Sequence, residues 1–159
     1  MERIHRYTAK IEWTGNQGSG TPDYRAYSRN HEISIVGKPV IEASSDSAFR
    51  GDPSRHTPED LLVSSLSGCH MLWYLHLCAV NGIVVLRYCD DAEAEMVENE
   101  DGSGQFSRVI LHPRVVVANP SMFEKAQSLH EQDHRMCFIA RSVNFIVQHN
   151  PEVTCYEKA

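Results

Sequence analysis

Residues 57–82 leave this chain little choice but to build itself around one helix. Thr57 is placed to cap it, Pro58 occupies the first helical position, and Glu59 and Asp60 fall in the first turn. At about 100° per residue, Leu62, Leu66, Cys69, Trp73, Leu77 and Val80 share one face. The other faces still carry Met71, Leu72, Leu75 and Ala79, so a central, buried helix is expected. Gly82 ends it. Ser64, Ser65, Ser67, His70, His76 and Asn81 interrupt the apolar run, which argues against a membrane span.

The flanking segments are strand-like. Tyr7 to Trp13 alternates apolar and polar residues, and Tyr24 to Ser28 and His31 to Val36 are short strand candidates. Lys38 to His56 is polar and rich in glycine, proline and serine, as expected of a long loop. Val84 to Val97 and Phe106 to Ala118 read as two strands joined by an Asn-Glu-Asp-Gly-Ser-Gly turn. A second helix is expected from Ser121, with Glu124 at capping-box spacing, to about His134. A short helical turn over Met136 to Ser142 follows, and Val143 to Gln148 and Val153 to Tyr156 close the chain as strands. This order predicts an α+β fold in a single domain, residues 1–159.

Charge and cysteine usage narrow the function. A net charge of −6 offers no broad basic field, which excludes nucleic acid as the expected partner. The N-terminus carries no apolar signal segment, so a cytoplasmic, reducing compartment is expected. Cys69, Cys78, Cys89, Cys137 and Cys155 form no C-x-x-C pair, and each is either an inert core residue or a reactive thiol. Core packing is the default for Cys78, Cys89 and Cys155. A reactive Cys69 inside an apolar stripe would need a nearby cation, itself held by an anion. Arg50 or Arg55 in the loop, with Glu59 in the first helical turn, could supply both.

Two other patterns carry less. Gly15, Gly18 and Gly20 lack the Gly-Lys-Ser/Thr ending of a phosphate loop and read as a hairpin turn. His130-Glu131-Gln132-Asp133-His134 matches the zinc-protease motif H-E-x-x-H literally. Its polar interior and the lack of a recognisable third ligand favour a solvated helix end, and a zinc hydrolase is the lesser alternative.

The segment Thr57-Pro58-Glu59-Asp60-Leu61-Leu62 resembles the opening of the central helix in the OsmC/Ohr family, the osmotically inducible and organic hydroperoxide resistance proteins. The ten-residue step from Glu59 to Cys69 matches that family's spacing to its reactive cysteine, and Cys137 stands where its second cysteine lies. The segment from Trp13 to Tyr24 is similar to the first hairpin of OsmC-like members. The resemblance implies an OsmC-like fold in an intertwined homodimer, with sites at the subunit interface. It implies reduction of organic hydroperoxides by a Cys69–Cys137 pair, without metal or organic cofactor, in defence against oxidative stress. It also implies an arginine, by position Arg50 with Arg55 as the alternative, and Glu59 beside the first cysteine. The reductant would be a dithiol, such as a protein-bound lipoyl group. Trp73, Met71, Met136 and Phe138 would line an alkyl pocket. Cys137-Phe138-Ile139-Ala140 departs from the family's frequent C-P-x-S, which places the chain nearer the OsmC-like branch. The competing expectation is an OsmC-fold protein that binds a hydrophobic ligand and has little peroxidase activity.

Overall fold

The computed structural model describes residues 3–156, with the side chains of 133 and 134 excepted. It divides into two compact units at the Leu61/Leu62 boundary.

The first unit holds a three-stranded antiparallel sheet of β1 (Lys10–Trp13), β2 (His31–Ser34) and β3 (Ile41–Ala43), in that order. The expected strand at Tyr24 to Ser28 does not form; only an isolated bridge joins Asn16 to Tyr27. The reason lies in Arg29. Its guanidinium lies over the rings of Tyr24 and Tyr27 at 4.1 and 4.2 Å and donates to the carbonyls of both residues. That folds the segment back on itself instead of extending it. The polar loop that follows is organised by its own carboxylates. Asp46 caps a 3₁₀ turn at Ser47–Phe49. Asp52 accepts from the backbone N–H and hydroxyl of Ser54.

The central helix, α1, spans Pro58–Val80. It starts with a reciprocal cap: Thr57 N–H donates to the Asp60 carboxylate at 2.9 Å, and Asp60 N–H donates to the Thr57 hydroxyl at 3.1 Å. It ends at Gly82, whose φ of 71° is left-handed, with Ile83 N–H donating to Cys78 carbonyl at 2.9 Å. That bond satisfies a carbonyl which the helix itself leaves open. By length and composition α1 could cross a membrane. In this fold its inward face instead forms the core of the second unit.

That unit contains β4 (Val85–Asp90), β5 (Glu93–Glu98), β6 (Gly104–Leu111), β7 (Pro113–Val117), α2 (Phe123–Met136), β8 (Ile146–His149) and β9 (Glu152–Cys155). The long hairpin expected between Val84 and Ala118 forms, but it breaks in the middle into two sheets, β4-β7-β9 and β5-β6-β8. The break is set by Asp90, whose carboxylate accepts from His112 N–H at 2.6 Å and from the Ser67 hydroxyl at 2.5 Å. These bonds tie the kink to α1. The closing strands β8 and β9 each add in parallel, to β6 and β7 respectively. Asn119 caps a 3₁₀ turn at Pro120–Met122 that leads into α2, its side chain accepting from Ser121 N–H at 3.0 Å, so α2 starts at Phe123 and not at the expected Ser121.

Tyr74, Leu77 and Cys78 of α1 pack with Ile83, Val115, Val117, Ala126, Leu129 and Val153. A second cluster joins Leu66 to Val109 and Leu111. Full burial of a leucine of this kind contributes about 1.5–3 kcal/mol. The inward face of α1 differs from the expected stripe. It carries Leu66, His70, Tyr74, Leu77 and Cys78, whereas Cys69 is half-buried and Val80 is 64% exposed. A helix apolar on nearly every side gives periodicity no direction, so the stripe came out one residue away from the true seam.

Candidate thiol site

Cys69 lies in the middle of α1, and Cys137 follows the last residue of α2. The second unit brings them together as interacting thiols, and Cys69 is one of the groups that raise the Cys137 thiol. Both are free thiols, and Cys137 has 0% of its surface exposed. The chain after Cys137 turns sharply, with Arg141 N–H donating to Cys137 carbonyl at 3.1 Å before a 3₁₀ turn at Ala140–Ser142. This turn aims Ala140 N–H at the Cys137 sulfur, 3.4 Å away. The Cys-Phe-Ile-Ala sequence therefore builds a tight sulfur-facing turn without a proline.

Burial pushes the Cys137 thiol up to about 12, the hydrogen bond it gives to Cys69 adds to this, and the amides of Ala140 and Ile139 partly oppose it. Cys137 therefore holds its proton at neutral pH.

Of the apolar candidates nearby, Trp73 meets the Phe138 ring edge-on at 5.7 Å. Phe138 is 69% exposed, Met136 is also exposed, and Met71 is half-buried.

The remaining expected site residues lie in the first unit. Arg50 is exposed and caps the 3₁₀ turn in a left-handed conformation, φ 65° and ψ 30°. Arg55 is half-buried, with Nε 3.6 Å from Asp52 and Nη2 3.4 Å from Glu42. Its Nη1 is buried without a hydrogen-bond partner, and so is Oε2 of Glu59. Among the described residues no ion pair joins Arg50 to Glu59.

The reading of His130 as part of a solvated helix end is corrected. His130 is 1% exposed. Its Nδ1 lies 3.1 Å from Nε2 of His70, and its ring stacks on Tyr74 with centroids 3.9 Å apart. His149 donates from Nε2 to the His130 carbonyl at 3.0 Å. The His134 side chain, the other half of the H-E-x-x-H pattern, lies outside the described residues. Among the described residues, no group of three or more His, Cys, Asp and Glu side chains could hold a metal ion. Sequence reasoning missed the His70–His130 pair. The signal available was His70, Tyr74, Leu77 and Cys78 at i, i+4, i+7 and i+8.

Burial, and then the neighbouring His70 and His149, lower His130 from 6.5 to about 3. A group depressed on folding stabilises the fold above its unfolded value, and that stability is lost as pH falls toward the folded value. Denaturant midpoints are therefore expected to fall between about pH 6.5 and pH 3, with at most about 1.4 kcal/mol per pH unit from this single group. His130→Leu is expected to flatten that slope. An unchanged acid slope would contradict the buried neutral imidazole.

With this geometry in place, the comparison with known proteins is decisive for the family. The family profile described as OsmC-like protein matches residues 51–152. The chain belongs to the OsmC-like family. An OsmC-like protein of unknown function from Vibrio cholerae is 28% identical, with a TM-score of 0.83 over 94% of this chain and 100% of that one. An organic hydroperoxide resistance protein from Elizabethkingia anophelis is 18% identical, with a TM-score of 0.70 over 98% and 100%. That of Bacillus subtilis is 19% identical, with a TM-score of 0.57 over 93% and 98%. The last two likenesses are of fold. No curated protein matches the chain significantly. The expected α+β, OsmC-like fold is thus borne out, and the OsmC-like match covers Glu59, Cys69 and Cys137 together.

Proposed function

We propose that this OsmC-like protein is a cysteine peroxidase that reduces organic hydroperoxides to alcohols. The Cys69 thiolate attacks the peroxide O–O bond, becomes a sulfenic acid, and releases the alkoxide, which takes up a proton and leaves as the alcohol. The Cys137 sulfur then attacks the Cys69 sulfenic sulfur. The Cys137 proton and the hydroxyl leave as water, and a Cys69–Cys137 disulfide remains. An external dithiol, for which a lipoyl group on a protein is the proposed source, reduces it by thiol–disulfide exchange. A reducing, cytoplasmic setting suits that last step.

The observation that carries this reading is the pairing of a fully buried Cys137 with the half-buried Cys69. It supports a division of labour in which Cys69 is the nucleophile and Cys137 the resolving thiol. An interacting pair of thiols supports this reading, and the binding-only alternative does not require one. The roles of an arginine, Arg50 or Arg55, and of Glu59 in stabilising the thiolate rest on the resemblance. We place the protein in a homodimer, which would cover apolar residues such as Leu72 of α1, 65% exposed in the single chain.

The test is a peroxidase assay with an alkyl hydroperoxide and a dithiol reductant. Turnover that requires both reagents is expected, with Glu59→Gln lowering kcat/KM about tenfold or more. Absence of hydroperoxide consumption would overturn the enzyme reading in favour of a ligand-binding protein.

A further inference from the structure

Thiol chemistry alone gives no reason to bury two imidazoles side by side. His70 and His130 are each 1% exposed, and their rings stack with centroids 5.4 Å apart. Apolar side chains of similar volume would fill this space without the cost of dehydrating polar rings. What the imidazoles add is a directional bond across the α1–α2 seam, Nε2 of His70 to Nδ1 of His130 at 3.1 Å. Along the same seam Leu77 and Cys78 pack around Ala126 and Leu129, and Tyr74 donates to the Ala126 carbonyl at 3.2 Å. Apolar contacts tolerate sliding better than a hydrogen bond does, because the bond weakens steeply with misalignment.

The pair is tied to both thiols. His70 follows Cys69 directly, and Cys137 lies seven residues, about two helical turns, after His130. A shift of α2 along α1 at His130 therefore carries Cys137 with it. Disulfide formation tolerates little such slippage, because the sulfurs must close to about 2.05 Å in a narrow dihedral range.

We propose that His70 and His130 are positioning residues for the thiol pair: their hydrogen bond fixes the register of α2 on α1 and so sets the effective concentration of Cys137 at Cys69. This deepens the reading of Cys69 and Cys137 as a disulfide-forming pair, and rests on that reading. The atoms used dictate which replacements preserve the bond. His70 uses its distal nitrogen, which the glutamine amide mimics; His130 uses its proximal nitrogen, which the asparagine amide mimics.

The experiment equilibrates the full chain with oxidised and reduced dithiothreitol at neutral pH, without peroxide. The two cysteine thiols give up two electrons and two protons to the dithiothreitol disulfide, which becomes its dithiol. Peptide mapping then gives the equilibrium constant for the Cys69–Cys137 disulfide. His70→Leu and His130→Leu are expected to lower that constant about three- to tenfold, up to about 30 mV for the two-electron couple. His70→Gln and His130→Asn are expected to stay within about twofold of wild type.

A merely structural role would lower the thermal midpoint of the reduced protein and leave the disulfide constant in place, which would overturn the proposal. Amide variants that fall as far as the leucine variants would overturn it too. Should a leucine variant fail to fold, His70→Asn and His130→Gln replace it, since they put the amide at the wrong atom. They carry the same expected loss, and a wild-type constant in them would sink the proposal. Lack of hydroperoxide turnover, with the disulfide constants behaving as stated, would overturn the peroxidase reading and leave this inference standing.

Discussion

Cys69→Ser is expected to lower hydroperoxide reduction by about 10³-fold or more, equivalent to roughly 4 kcal/mol of transition-state stabilisation. A serine hydroxyl is neither ionised near neutrality nor soft enough to attack a peroxide oxygen. The substitution changes one atom at a half-buried position on α1. The new hydroxyl can still accept the Cys137 hydrogen bond, so the thermal midpoint is expected to move by only a few degrees. Activity and stability are thus separated: loss of turnover in a folded protein identifies the nucleophile. Full activity in Cys69→Ser, measured with an alkyl hydroperoxide and a dithiol, would remove Cys69 from the mechanism.

Changes at Cys137 are expected to separate the two half-reactions. In Cys137→Ser the first step proceeds, because the serine hydroxyl can still donate to Cys69. The second step stops, and a sulfenic acid accumulates on Cys69, detectable by trapping with a dimedone-type reagent. Steady-state turnover then falls about 100-fold or more, while the first turnover stays within a few-fold of wild type. Cys137→Ala is the sharper comparison. It removes the donor as well as the resolving thiol. A hydrogen bond to a charged group contributes about 1.5–3 kcal/mol, so the first turnover should also slow by roughly ten- to a hundredfold. Equal first-turnover rates in the serine and alanine variants would show that the Cys137 donor has no part in activating Cys69.

The start and end of α1 were legible in the sequence because caps are local chemistry. Thr57, Asp60 and Gly82 act within a few residues of themselves. Which side of α1 faces inward was not legible. The helix is apolar nearly all round, so the partner surfaces decide, and those come from β7 and α2 far along the chain. The same distance in sequence hides the parallel additions of β8 to β6 and β9 to β7. The break in the long hairpin depends on one carboxylate, Asp90, reaching Ser67 and His112. Nothing in the local pattern of the two strands announces it.

The site was legible in part. The resemblance of the Thr57–Leu62 segment and of the Glu59-to-Cys69 step to the OsmC/Ohr family pointed to Cys69 and Cys137 as a pair, and both lie in the second unit as interacting thiols. The choice of arginine was not legible. The loop from Ala43 to His56 folds through its own Asp46 and Asp52 bonds, which leave Arg50 exposed and Arg55 half-buried. His130 misled because the residues after it, Glu131, Gln132 and Asp133, are polar, while its ring meets His70 and Tyr74 of α1. A helical position is exposed or buried by its angle, and the polar residues that follow it in sequence say little about that angle.

The central claim is that peroxide converts Cys69 and Cys137, and no other pair among the five cysteines, into a disulfide. Peptide mapping under non-reducing conditions, after one equivalent of an alkyl hydroperoxide, measures this directly. A single Cys69–Cys137 link formed in step with peroxide consumption is the predicted result. A link through Cys78, Cys89 or Cys155, or peroxide consumption that leaves Cys137 a free thiol, would contradict it.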